Sequence, residues 1–335
     1  MTPRMKIGFT LPTYTWPDLD QAMGRRIVKD MARRAEALGY DSITVWDHLL
    51  DAPGLYGGSW LDPLTVLSCV AGATDAIPIG THILVLPLRH PVLLAKELGT
   101  LSCISEGRLF MGVGPGWNEP EFTAMGISMR ERGRRTDESL DALSRLLREE
   151  KVSFQGRFWQ FDDVTIVPRP ERPITVWVAG GSRVPDPMSP DKPFMVRSVM
   201  DRIARHADVF TVRASGKHEW VARDIAAVRE HLRTAGRDPA TLGIAHVQAG
   251  YIVDTDDREA ALARQRRPMQ AMMGQNRSWE HLQDCYLLGS VDDIVAKLRA
   301  LEAAGVEHVT IHPASAEMEQ LELWMDRVIE PHFRD

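Results

Sequence analysis

Cysteine is scarce in this chain. Cys69, Cys103 and Cys285 are widely separated and odd in number, which rules out a disulfide framework and matches no zinc-ligand spacing. They read as buried, reduced thiols. Long apolar runs are missing as well: none approaches the roughly 20 residues that a membrane span requires. Strand-like Ile7-Gly8-Phe9-Thr10-Leu11 begins almost at once, with no secretory pattern before it, so the expected location is cytoplasmic with no membrane partner. Positive charge is in deficit. Lys and Arg number 40 against 46 Asp and Glu, and a net charge of -6 argues against a nucleic-acid surface.

Two motifs are absent where competing folds need them. After the first strand the chain reads Leu11-Pro12-Thr13 instead of Gly-x-Gly-x-x-Gly, so the phosphate fingerprint of a doubly wound dinucleotide fold is not there. The same strand lacks His-x-His, which counts against a metal-dependent barrel hydrolase even though His308 and His312 share a strand face. We therefore expect no metal.

What is present is an ordinary globular balance, 44% hydrophobic and 26% charged. The stretch Ser42-Ile43-Thr44-Val45-Trp46-Asp47-His48 organises the rest. It is a β-branched run with apolar residues on both faces, as in a parallel strand covered on both sides, and it ends abruptly in a carboxylate and an imidazole. Similar runs fall at 6–11, 79–86, 108–113, 174–179, 208–212, 244–253 and 308–312. Amphipathic helical patterns alternate with them, among them 20–38, 62–75, 91–102, 131–148, 218–235, 257–273, 291–304 and 317–329. Eight strands alternating with helices and no compositional break predict one domain over 1–335, a single (β/α)8 TIM barrel with insertions. The insertions are 51–59, a hairpin at 152–166, and the proline-rich 183–193, which resembles a lid over a ligand edge.

In such barrels ligands bind at the carboxyl ends of the strands. Here those ends carry Asp47-His48, Gly114 to Asn118, Gly180-Gly181-Ser182, Arg213 to Lys217, and His312. Glycines let backbone amides approach an anion, so Gly180-Gly181-Ser182 is a candidate phosphate cradle, with a plain turn as the other reading. Lys217 is a candidate anion partner. His48 changes charge near neutral pH, so it is the candidate general acid or base. Asp47 points to the opposite strand face and is read as a cofactor ligand or a cap. Trp46, Trp60, Trp117 and Trp159 are candidates to line an apolar pocket.

The segments Met5-Lys6-Ile7-Gly8-Phe9, Ala35 to Ser42, Trp46-Asp47-His48, Asp62-Pro63-Leu64, Leu86 to Pro91 and Gly112 to Glu119 resemble the luciferase-like monooxygenase superfamily. Glu131 to Glu138 and Gly156-Arg157-Phe158-Trp159 are most similar to its branch using coenzyme F420, a 5-deazaflavin. The resemblance implies a deazaflavin across the carboxyl rim, with Asp47, His48 and Asn118 at its ring. It implies a cis peptide at His82-Ile83 beneath that ring, the phosphate at Gly180, Gly181 and Ser182, a small organic substrate, and a homodimer. The sequence departs from the family in having His82 where a small residue is usual and Trp117 where sugar-phosphate dehydrogenases can carry an acid. Hydride transfer with F420 is the expected activity. An FMN-dependent monooxygenase of the same fold, and a binding homologue without turnover, stay open as alternatives.

Overall fold

The computed structural model describes residues 4–14, 21–52, 56, 58–182, 195–213, 218–274 and 276–334, with backbone only for 21–23. The lid-like 183–193 and Lys217 lie outside the described residues. Eight parallel strands close into a barrel in the order β1, β10, β9, β8, β7, β4, β3, β2. They are β1 (Lys6–Thr10), β2 (Ile43–Val45), β3 (Ile79–Val85), β4 (Leu109–Gly114), β7 (Thr175–Gly180), β8 (Val209–Val212), β9 (Gly243–Gly250) and β10 (His308–Pro313). The remaining strands, β5 (Val152–Gln155) and β6 (Gln160–Val164), pair antiparallel as the predicted hairpin. Closure is made by β1 on β10, with Lys6 opposite His308.

Strand alternation builds two different interiors. Ile7, Phe9, Ile43, Val45, Ile79, Val309 and Ile311 face outward into one large apolar cluster with the surrounding helices. The inward faces are largely polar. Thr10 and Thr44 bond through their hydroxyls at 2.7 Å, and a small apolar plug of Phe110, Trp177 and Ala245 fills the rest of the lower lumen. A polar lumen is tolerable only where its groups find partners, so the places where they do not become informative.

Local signals account for the elements that frame the rim. Helix 32–38 ends at Gly39, whose φ of 81° is the expected left-handed cap. Asp62 accepts from the Thr65 amide at 2.9 Å and caps the helix Pro63–Ala71, with Pro63 in its first turn. Several helices were not anticipated: Arg197–His206, Trp279–Cys285, and the short Glu119–Ala124 in what reads as a loop after β4. The cysteine reading needs correction. Cys285 is buried, but Cys69 and Cys103 are exposed on the outer faces of their helices.

Candidate active site

β2 stops at Val45 and leaves Trp46, Asp47 and His48 on the carboxyl rim. Asp47 faces outward and is buried. Its carboxylate accepts from the Val85 amide at 2.7 Å and from two Arg89 nitrogens at 2.6 and 3.2 Å. Burial pushes this carboxyl up, and Arg89 and the Val85 amide offset only part of that. Arg89 also reaches Asp62 at 3.4 Å, so one ion-pair group ties the ends of β2 and β3 to the next helix. That is a different engagement from the cofactor contact or cap expected of Asp47.

His48 sits on the other face. Its Nδ1 lies 2.9 Å from Glu121 Oε1, and the same oxygen accepts from the Leu49 and Leu50 amides at 3.0 and 3.3 Å. Glu121 is fully buried. Burial alone would raise its carboxyl, yet the hydrogen bonds from His48 and the Leu50 amide hold it below the ordinary value. An ionised Glu121 is an acceptor only, so Nδ1 must carry the proton, and Nε2 is left as the nitrogen that exchanges one. The sequence reading missed Glu121. It rides on the Glu119–Ala124 helix, and Asn118-Glu119-Pro120, with proline in the first turn, was the available signal. Asn118 precedes this helix, buried, its amide donating to the Asp51 carbonyl at 3.4 Å.

The His82-Ile83 peptide is cis, as the resemblance implied. Ile83 packs with Val85, Leu88 and Phe122 beneath the rim. The His82 ring turns into the lumen, where Nδ1 meets Thr310 Oγ1 at 2.8 Å and Nε2 meets Thr211 Oγ1 at 2.5 Å. Burial, with His308 and His246 nearby, pushes this imidazole down to about 3, so it is neutral.

Gly180, Gly181 and Ser182 end β7, beside β4, but they do not form an open cradle. The Ser182 amide donates to Asp224 Oδ2 at 2.6 Å and its hydroxyl donates to the other oxygen. The buried Asp224 carboxylate therefore takes both Ser182 donors. The glycines answer to packing. A Cβ on Gly180 would meet Val199 Cγ1 at 2.5 Å, and one on Gly181 would meet Arg213 Cβ at 2.7 Å. The donors of Ser182 are thus engaged within the protein, and the phosphate role of these three residues remains a proposal.

Around His48 the rings form a continuous wall. Trp60 lies 4.8 Å from the His48 ring, Trp117 5.3 Å and Tyr56 5.6 Å, and Trp46 lies 5.9 Å from Trp60. Trp46 in turn lies 4.2 Å from His312. Trp159 is elsewhere, on the hairpin against His90 and Ser139. Buried polar atoms without a partner gather on this wall: Trp46 Nε1, Trp60 Nε1, Glu121 Oε2, and both nitrogens of His312. Such atoms are rare in folded proteins and mark a site built for a ligand.

A closed parallel barrel whose reactive and unpartnered groups collect at the carboxyl rim has the architecture of TIM-barrel enzymes. The family model described as luciferase-like monooxygenase matches residues 5–308, and the chain belongs to that family. An F420-dependent glucose-6-phosphate dehydrogenase of Kineococcus radiotolerans is 35% identical over 45% of this chain and 46% of its own length. The chain thus matches about half the length of such relatives. The F420-dependent glucose-6-phosphate dehydrogenase 2 of Rhodococcus jostii is 27% identical across 100% of this chain and 99% of that protein. Solved structures show the fold. An F420-dependent secondary alcohol dehydrogenase bound to an F420-acetone adduct superposes with a TM-score of 0.80 at 18% identity, covering 99% of this chain and 100% of its own. The FMN complex of the oxygenating constituent of 3,6-diketocamphane monooxygenase of Pseudomonas putida gives 0.73 at 20% identity, covering 97% of each chain.

Proposed function

We propose that the protein is an F420-linked oxidoreductase that moves hydride between the deazaflavin and the oxygen-bearing carbon of a small organic substrate, with His48 handling the hydroxyl proton. The observation that carries this reading is the buried His48–Glu121 pair at 2.9 Å on the aromatic rim. The names of the curated relatives support the cofactor. When bound, the deazaflavin supplies a carbon centre that accepts or returns hydride.

The residues present fit its ring, while at the position first expected for its phosphate the Ser182 donors are held by Asp224. Trp46 and Trp60 bring unpartnered indole N–H groups to the rim, and Ile83 and Asn118 lie below and beside it. Gly180 to Ser182 are closed by Asp224. Within this frame the protein has three tasks. The aromatic wall excludes water from the reacting carbon. Glu121 fixes the His48 ring and its tautomer, as an orienting carboxylate does for a general base. His48 Nε2 takes the proton when an alcohol becomes a carbonyl and returns it in reverse, while Asp47 and Arg89 anchor the strand ends that carry His48.

Titrating the apoprotein with F420 and with FMN, while following tryptophan fluorescence, tests the cofactor. Tight F420 binding followed by loss of deazaflavin absorbance on adding a secondary alcohol is the expected result. Tighter FMN binding with oxygen consumption would replace it with the monooxygenase reading that the family description and the FMN-bound neighbour favour. Homodimer formation is part of the proposal, checked by light scattering. A cytoplasmic location also stays a proposal; no helix among the described residues is long and apolar enough to cross a membrane.

A further inference from the structure

His312 ends β10 on its lumen face, and its ring is wholly buried. Other buried lumen histidines are satisfied. His82 has a threonine hydroxyl on each nitrogen, and His246 donates from Nδ1 to the Val212 carbonyl at 3.0 Å while accepting from Gln248 at 2.8 Å. Among the described residues, neither nitrogen of His312 has a partner in good hydrogen-bond geometry; only the backbone of Pro313 and of His312 itself approaches. Trp46 packs against it at 4.2 Å between ring centres, and Trp46 is itself half-buried with an indole N–H that has no partner among the described residues.

An imidazole whose nitrogens meet only the poorly aligned backbone of its own strand is a weak choice for packing alone. A phenyl ring of similar shape would fill the space without stranding two nitrogens, which is why replacing both halves of a missing hydrogen bond by apolar atoms tends to be neutral or stabilising. Retention of the polar ring at the end of an aromatic wall that starts at His48 points to a ligand. The neighbouring unpartnered groups specify its chemistry. The indole N–H groups of Trp46 and Trp60 are donors only, so the ligand must offer acceptors. Burial pushes the His312 ring down to about 3, opposed only by the backbone of Pro313 and of His312 itself. A ring that stays neutral gives no ionic hold on a carboxylate or phosphate.

We propose that His312 is a specificity-determining residue that, with the Trp46 indole, donates a hydrogen bond to an uncharged oxygen, a ketone or alcohol, on the substrate of the site described above. This rests on the oxidoreductase reading for the word substrate, but the contact itself is testable without turnover.

In 15N-histidine-labelled protein, with His312→Phe used to assign the signal, the His312 ring resonances should shift on adding cyclohexanone or cyclohexanol and not on adding glucose 6-phosphate. A response to F420 alone would assign the contact to the cofactor and overturn the substrate role, as would a response to glucose 6-phosphate only or to none of the four. His312→Phe should keep or raise the unfolding temperature while weakening cyclohexanone binding about 3- to 10-fold, the worth of one neutral hydrogen bond. Unchanged binding in that variant would contradict the proposal. If the variant does not fold, the shifts in the parent protein decide alone, with His312 assigned through its own backbone correlations. F420 binding, measured separately by fluorescence, distinguishes failure of this contact from failure of the oxidoreductase reading.

Discussion

The rim of this barrel has two halves that look alike in sequence and differ in chemistry. At the ends of β7 and β8, Ser182 has its amide and hydroxyl taken by Asp224, and Gly180 and Gly181 are required by Val199 and Arg213. At the ends of β2 and β10, half-buried Trp46 and buried Trp60 and His312 carry polar atoms without a partner among the described residues, around a His48 whose Nδ1 is fixed by Glu121. Glycine content drew attention to the first half, yet its polar groups are satisfied internally. The second half keeps an unmet demand for hydrogen bonds. An unpartnered buried group costs about 1 to 3 kcal/mol, so a cluster of them persists only where a ligand completes it.

Substitutions can break or sharpen that contrast. The largest effect on stability is expected from Arg89→Ala, which leaves the buried Asp47 carboxylate with the Val85 amide alone. Removing one partner of a buried ion pair costs about 3 to 5 kcal/mol, and urea unfolding should show a loss of that size. A change below about 1 kcal/mol would mean that Asp47 is not held as described, and would return it to the candidates for cofactor contact.

Glu121→Gln comes next. It keeps the size of the side chain but lets Nδ1 of His48 choose either tautomer, and turnover should fall by up to about 10⁴-fold, the loss when the carboxylate that orients a general-base histidine becomes an amide, with cofactor affinity retained. The variant also carries a pH signature. Because the Glu121 carboxyl is held below its ordinary 4.5 in the folded chain, its ionisation adds stability above that pH, and the contribution is lost as pH falls through the folded-state value. Melting curves from pH 6 to pH 3 should therefore show the parent losing its lead over Glu121→Gln. A lead that grows in acid would reverse the assignment.

The smallest expected effect sharpens the other half. Asp224→Ala strands the Ser182 amide and hydroxyl and should cost about 1 to 3 kcal/mol without tightening F420 binding. If the variant binds F420 more tightly, Asp224 is a removable plug over a phosphate cradle and the two halves are alike.

The sequence made one half of this picture readable for a physical reason. Alternation along Ile43 to His48 is a local property, so the strand, its two faces and the placement of His48 at its carboxyl end followed from residues next to one another. The eight-strand count followed in the same way. Glu121 did not, because its partner lies 73 residues away and its helix is a single short run in a segment that looks like loop. Its only local signature was a proline in a first turn. The packing at glycines 180 and 181 stayed hidden for the converse reason: the sequence showed that side chains are excluded there, but not that Val199 on a later helix and Arg213 after the neighbouring strand exclude them.

The central claim is that His48 moves the proton that accompanies hydride transfer, and single-turnover kinetics of His48→Ala test it most directly. With F420 bound and a secondary alcohol supplied, the variant should transfer hydride roughly 10² to 10⁴ times more slowly than the parent, the usual worth of one general acid or base, with F420 affinity nearly unchanged and part of the rate restored by added imidazole. Hydride transfer at the parent rate from pH 5 to pH 9, indifferent to imidazole, would contradict the account.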